Sequence, residues 1–139
     1  MINTINMQDM RYMNLFEKIT GVSTRFCFKY NDFIVFIIPA RAVSRAIGEN
    51  GRNIKRMSEV LGRKIKVVPS PNGNYDIKKF IENIVNPATF RGVEIGEREI
   101  IVASAGTQSK AALMGRDKKR LHELQKIAKD FLGKELKVI

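Results

Sequence analysis

The chain has 139 residues, of which 44% are hydrophobic and 28% charged, and its 25 Lys and Arg against 14 Asp and Glu give a formal net charge of +11. This length suits one ordinary domain or two very small ones, and the composition is that of a folded protein rather than a disordered basic tail. A single Cys and a single His exclude a disulfide scaffold, a Cys-based zinc site and a multi-His metal centre.

The first half of the chain predicts one small unit of helices and strands. Its apolar pattern changes from helical spacing to the period of two that is typical of a strand, and Asn31-Asp32 is typical of a two-residue hairpin turn. The expected elements are, in chain order, a helical stripe through Met10, Met13, Phe16 and Ile19, strands over 24–30 and 33–38, helices over 40–47 and 51–61, and a strand over 64–68.

The second half predicts the same order after a turn-forming run over residues 69–74. At an offset of 67, residues 33–35 match 100–102 and residues 46–48 match 113–115, while the closing segments match at an offset of 71. The second copy therefore needs about one more helical turn, since four residues make roughly one turn. The expected elements are an amphipathic helix over 77–85, strands over 90–95 and 99–103, helices over 107–114 and 117–132, and a strand over 135–139.

The excess of positive charge is confined to two windows. Residues 40–68 hold eight cations and two acids, and residues 107–139 hold nine cations and four acids, so the two windows account for the whole formal charge. Two separated cationic windows indicate a polyanion as the partner. Because neither window shows the bulky apolar face of an interfacial helix, nucleic acid is favoured over an anionic membrane.

One loop in the first window carries the pattern Gly48-Glu49-Asn50-Gly51. Its two glycines remove side chains where a sugar–phosphate backbone approaches, and the helix that follows presents N-terminal N–H groups and a positive dipole end. As a bare pattern G-x-x-G is weak, because an ordinary helix–turn–helix also uses glycine at positive φ. Its position after an apolar strand, between two short helices and inside a basic window, favours the functional interpretation.

The run over residues 46–56 resembles the signature of a KH domain, whose GXXG loop clamps about four backbone nucleotides of a single strand. The element order, with a helix and a strand before the β-α-α-β core, resembles the type II KH fold. Two such units filling the chain resemble the archaeal NusA-like transcription termination/antitermination factors. The resemblance implies an α+β fold of two tandem type II KH-like units, residues 1–70 with an intact loop and residues 71–139 with a degenerate one.

The resemblance also implies a function. It points to a non-enzymatic protein that binds nascent single-stranded RNA in transcription termination or antitermination, with RNA polymerase as a further partner. It implies no cofactor, no metal and no small-molecule substrate. Two alternatives stay open, namely an adaptor that docks on RNA polymerase with the KH folds as scaffold, and a ribosome-associated KH protein.

The RNA-contacting residues follow from the matched positions. In the second unit the loop is Gly115-Arg116-Asp117-Lys118, where Lys118 replaces the second glycine and Asp117 adds a repelling charge. A purely structural second loop therefore carries equal weight with a loop that contacts RNA through side chains. The expected contacts are Arg45, Gly48, Glu49, Asn50, Gly51, Arg52, Lys55 and Arg56 in the first unit, and Gly115, Arg116, Lys118, Lys119 and Arg120 in the second.

The remaining residues of interest are expected to be structural. His122 is predicted on the polar side of its helix with no nucleophile motif beside it, and Cys27 on a strand face in a core. Strand periodicity favours core packing over base stacking for Phe26, Phe28 and Phe33. The candidates for the floor of an apolar groove beside the first loop are Ile47, Ile54 and Ile65.

No stretch approaches the ~18 apolar residues of a membrane span. The N-terminal residues also lack the basic start and apolar run of a signal peptide. We therefore expect a soluble, cytoplasmic protein.

Overall fold

The computed structural model describes residues 7–73 and 76–139. It divides into two compact units, one with the described residues up to Ser70 and the other from Pro71 to Ile139. Asn74, at the end of the predicted turn-forming run, and the first six residues of the stretch compared with a signal peptide lie outside the described residues.

The first unit forms a three-stranded sheet with helices. The order of strands in the sheet is β1-β2-β3, with β1 antiparallel to β2 and β2 parallel to β3. Asn31 and Asp32 have φ of 51° and 65°, the positive values that a two-residue hairpin turn requires. The elements are α1 (Met7–Thr20), β1 (Phe26–Tyr30), β2 (Phe33–Ile38), α2 (Val43–Ile47), α3 (Arg52–Leu61) and β3 (Lys64–Pro69).

The core of this unit joins α1 to β2 and to the paired helices. Phe16 of α1 stacks on Phe36 of β2 with ring centroids 4.4 Å apart, and Ala46 and Met57 bring α2 and α3 into the same cluster. This packing holds the ends of α2 and α3 in place, so the loop between them is presented by a rigid scaffold.

The predicted stripe of α1 is partly wrong. Met10 is 52% exposed, whereas Tyr12, Phe16 and Thr20 are the buried residues of the helix. These three are spaced by four, so they share one face. Thr20 is tolerated in the core because its hydroxyl donates to the carbonyl oxygen of Phe16 at 2.7 Å.

The second unit repeats this architecture. Its sheet has the order β4-β5-β6, again with one antiparallel and one parallel pair. The strand predicted over 90–95 begins only at Gly92, and the helix predicted over 117–132 is divided, with a π-helical turn at Ala128–Leu132. That turn is the extra turn expected from the change of offset. The elements are α4 (Ile77–Val85), β4 (Gly92–Ile95), β5 (Glu99–Ala103), α5 (Thr107–Met114), α6 (Lys119–Ile127) and β6 (Glu135–Val138).

The predicted fold class is confirmed. Each unit has the order α-β-β-α-α-β and a three-stranded sheet packed by helices. Within the described ranges, no helix has the combination of length and apolarity needed to cross a membrane. Among the same residues, no three His, Cys, Asp or Glu side chains come together as a metal site.

Candidate nucleic-acid interface

The first loop, residues 48–51, lies on the crossover that joins the parallel strands β2 and β3. A parallel pair cannot be closed by a hairpin, so α2, the loop and α3 must all fit between the two strands. Gly48 has φ 80° and ψ 168°, and Asn50 and Gly51 have φ of 55° and 72°. Glu49 and Asn50 are exposed at the tip, between the two half-buried glycines.

The two glycines of the first loop are needed for different reasons. A Cβ added to Gly48 would lie 2.9 Å from Cγ and Nδ2 of Asn53, closer than such atoms pack. Asn53 in turn donates from Nδ2 to the carbonyl oxygen of Arg45 at 3.2 Å, which ties the start of α3 to the end of α2. A Cβ added to Gly51 meets no atom within 4 Å. Gly48 is therefore required by internal packing, whereas the space beside Gly51 is open to a ligand.

The main-chain donors of the first loop are not all available. The N–H of Gly51 donates to the carbonyl oxygen of Gly48 at 3.1 Å, and the N–H of Arg52 donates to the carbonyl oxygen of Glu49. These two N–H groups are therefore already hydrogen-bonded within the loop. No described side chain caps the start of α3, so its positive dipole end stays open. The loop thus offers space, a helix end and the cations around it.

Four cations surround the first loop. Arg45, Arg52, Lys55 and Arg56 are all exposed. Within residues 7–73 and 76–139 none of the four forms an ion pair or donates a side-chain hydrogen bond. Their charges are therefore free for a polyanion that lies across the loop.

An apolar groove of about 440 Å³ begins at the first loop. The three predicted floor residues lie together in it, and Gly51 forms part of its wall. The strand side of the groove is β3, whose half-buried Lys66 was not among the expected contacts. Burial lowers the pKa of Lys66. The full lining is Ile47, Gly51, Ile54, Lys55, Ile65, Lys66 and Val67.

The second loop, residues 115–118, has the backbone of the first. Gly115 has φ 75° and ψ 175°, Asp117 has φ 54°, and Lys118 has φ 61°, each within about 11° of its counterpart. The N–H of Lys118 donates to the carbonyl oxygen of Gly115, as Gly51 does to Gly48. The second loop is therefore degenerate in residue type and not in backbone conformation.

The cations of the second window differ from those of the first because several are used internally. Arg120 is half-buried, and its Nη1 donates to the carbonyl oxygen of Ala112 at 3.1 Å, the role that Asn53 has in the first unit. Lys134 donates from Nζ to two carbonyl oxygens, and Lys126 and Lys137 form ion pairs. Arg116 and Lys118 remain exposed at the loop. The second window, although it holds more cations than the first, therefore uses several of them in contacts within its own unit.

Lys118 offers a test of the shared backbone. A non-glycine residue at left-handed φ costs roughly 1–2 kcal/mol of conformational strain. Glycine relieves this strain but loses more backbone entropy on folding, so Lys118→Gly is expected to raise the free energy of unfolding by about 0.5–1 kcal/mol. The neighbouring Lys119 has φ −61° in the first turn of α6, so Lys119→Gly is expected to lower it by about 1 kcal/mol. Urea unfolding of the two variants measures this contrast, and a loss of stability in both would contradict the assigned backbone.

The other residues singled out in the sequence lie away from any reactive arrangement. Cys27 is buried on β1, and this burial, with a smaller contribution from Asp9, raises its pKa to about 12. His122 is exposed on α6. Phe28 is buried as expected, whereas Phe26 and Phe33 are half-buried because each lies at the end of its strand.

With this geometry established, the comparison with known families is informative. The family model described as KH domain matches residues 33–112, more than half of the chain, including the whole first loop. The chain belongs to the KH-domain family. In KH domains the GXXG loop clamps about four backbone nucleotides of a single strand.

Similar proteins and structures agree with this assignment. The probable transcription termination protein NusA of Methanococcus vannielii is 27% identical over 139 residues, spanning 97% of this chain and 79% of that protein. The protein of the same name from Halococcus morrhuae is 26% identical over 127 residues, spanning 90% of this chain and 89% of that one. The crystal structure of APE1850 has a TM-score of 0.66 at 25% identity and covers 97% of this chain and 99% of that chain.

These relatives confirm the resemblance to NusA-like KH proteins. The KH match and the names of the relatives support RNA binding and a role related to transcription.

Proposed function

We propose that this chain is a non-enzymatic protein that binds nascent single-stranded RNA and acts in transcription termination or antitermination. It does so through two KH domains, at residues 1–70 and 71–139. The observation that carries this proposal is the first loop, where an unobstructed glycine, an uncapped helix end and four uncommitted cations adjoin one apolar groove.

Each part of the first loop has a place in this function. The sugar–phosphate backbone passes over Gly51, where nothing stands within 4 Å of a Cβ position, and the bases lie in the groove over Ile47, Ile54 and Ile65. The positive end of α3 and the guanidinium and ammonium groups around it attract the phosphates. The proposed contacts are Arg45, Gly48, Glu49, Asn50, Gly51, Arg52, Lys55 and Arg56.

The second loop is proposed as a secondary contact. It keeps the same backbone, but Lys118 fills the space that Gly51 leaves open in the first loop. Arg120 is held on the Ala112 carbonyl, so it orders the loop as well as adding charge. Contact with RNA here is through the exposed side chains of Arg116, Lys118 and Lys119.

The salt dependence of RNA binding tests the proposal. If the four uncommitted cations each neutralise one phosphate, the logarithm of the association constant falls against the logarithm of salt concentration with a slope of about −2.8, since each contact on a single strand contributes ~0.7. The double change Arg52→Gln plus Lys55→Gln is expected to make that slope shallower by about 1.4. Fluorescence anisotropy of a labelled, unstructured RNA octamer measures both slopes.

A matched control separates local contacts from net charge. Lys78 and Lys79 are exposed on α4 in the second unit, so Lys78→Gln plus Lys79→Gln removes the same charge from a helix that borders neither loop in the chain. This variant is expected to keep the slope of the unaltered protein. An equal change of slope in the two double variants would contradict RNA binding at the first loop, as would a slope near zero for the unaltered protein.

A further inference from the structure

We propose that Phe33, together with Lys64 and Lys66, forms a stacking site for one more base of the bound strand, beyond the groove that begins at the first loop. This inference rests on the proposed RNA binding and extends it toward the other end of α3. The site would take a nucleobase of a single strand, with the adjoining phosphate beside the two ammonium groups.

A second groove connects the loop to Phe33. It has a volume of about 500 Å³ and shares Ile54, Lys55 and Ile65 with the groove at the first loop. From these shared residues it continues past Ser58 and Glu59 of α3 to Lys64 and Phe33. A strand that enters at Gly51 therefore reaches Phe33 along one continuous surface.

The geometry around the Phe33 ring suits a base and its phosphate. Phe33 is the first residue of β2 and pairs in register with Lys64 on β3. The Nζ atoms of Lys66 and Lys64 lie 4.8 Å and 5.6 Å from the ring centroid. Aromatic rings next to cations are the combination that single-strand binding proteins use, because the ring stacks on any base while the cations hold the backbone.

The second unit shows that the fold does not need an aromatic residue here. The register of the sheets corrects the sequence match of residue 33 with residue 100: the residue equivalent to Phe33 is Glu99, which pairs with Glu135 on β6 as Phe33 pairs with Lys64 on β3. The equivalents of Lys64 and Lys66 are Glu135 and Lys137, and Lys137 is paired with Glu99 at 2.8 Å. A half-buried phenylalanine with two lysines is thus a feature of the first unit alone among the two repeats.

The charges along this second groove place the backbone on the strand side. Glu59 lies one helical turn beyond Lys55 and lines the groove from α3, where its carboxylate repels a phosphate. Lys64 lines the same groove from β3 and attracts the phosphate, and Lys66 follows two residues later on that strand.

The test compares a short RNA with a longer one. An unstructured tetramer fills the loop groove, since a GXXG loop holds about four nucleotides, whereas an octamer also reaches Phe33. Phe33→Ile, which removes the ring but keeps an apolar side chain, is expected to weaken octamer binding roughly tenfold and to leave tetramer binding within about twofold. Phe33→Tyr keeps the ring and is expected to keep octamer affinity.

Phe26 provides the control variant for this test. Phe26 is half-buried on β1, the strand at the opposite edge of the sheet from β3, so Phe26→Ile makes the same change away from the groove and should alter neither affinity. The stacking site is overturned if Phe33→Ile weakens neither RNA or both equally, if Phe33→Tyr weakens the octamer as much, or if Phe26→Ile has the same effect. Failure of the unaltered protein to bind either RNA would instead overturn the proposed function.

Discussion

Replacing Gly51 by Asp is expected to weaken binding of a short unstructured RNA at least about thirtyfold. The new carboxylate would occupy the open space over which the sugar–phosphate backbone is proposed to pass. Two like charges about 4 Å apart repel by roughly 1 kcal/mol in bulk water and ~4 kcal/mol near a protein surface, a range that brackets a thirtyfold loss. Anisotropy titration at a fixed salt concentration measures the change.

The Gly51→Asp variant is expected to fold. Asp tolerates left-handed φ better than most residues, and a Cβ at this position meets no atom within 4 Å. A cooperative thermal melt, with a midpoint lowered by no more than about 4–8 °C, therefore accompanies the loss of affinity.

Gly133→Asp is the matched control for this change. Gly133 has φ 70° against 72° for Gly51, is exposed, and also has no atom within 4 Å of an added Cβ. It carries the same charge change in the second unit, so RNA affinity should stay within about threefold. Comparable losses in both variants would show that net charge alone governs binding. In reconstituted transcription, Gly51→Asp should also abolish the effect of the protein on terminator readthrough, whereas Gly133→Asp should retain it.

The elements and the position of the first loop could be predicted from the sequence because apolar periodicity encodes them directly. A strand buried on both faces, such as β2, reads as a continuous apolar run, and the two glycines mark the turn between short helices. The internal repeat also predicted the extra turn before β6, which is the π-helical turn at Ala128–Leu132. These features depend on residues close in sequence.

The remaining features depend on residues far apart in sequence or on backbone conformation. Nζ of Lys134 donates hydrogen bonds to the carbonyl oxygens of Gly96 and Glu97, which are 38 and 37 residues away. No local sequence pattern shows that this ammonium group is bound within its own unit. Lys118 takes a left-handed conformation that residue preferences assign to glycine, because the surrounding loop imposes it. Phe33 follows the alternation of a core strand, but the alternation does not show where the sheet ends and the groove begins.

The contrast between the two glycines of the first loop gives the largest expected effect on stability. Gly48 has φ 80° and ψ 168°, a region of backbone conformation that is essentially restricted to glycine. An alanine there also forces Asn53 to move from 2.9 Å, which breaks its hydrogen bond to the Arg45 carbonyl and loosens the joint between α2 and α3. Gly48→Ala is therefore expected to lower the free energy of unfolding by about 2–4 kcal/mol.

Gly51→Ala is the comparison that isolates this effect. At φ 72° and ψ 19° an alanine lies in the left-handed helical region, and its Cβ meets no atom within 4 Å, so the expected loss is only about 1 kcal/mol. Urea unfolding of the two alanine variants measures the difference. Equal losses of unfolding free energy would mean that the Asn53 side chain moves aside at no cost and that its hydrogen bond to Arg45 does not stabilise the first loop. A larger loss at Gly48 means that the fold itself requires this glycine, which leaves Gly51 as the position whose open side is reserved for the bound strand.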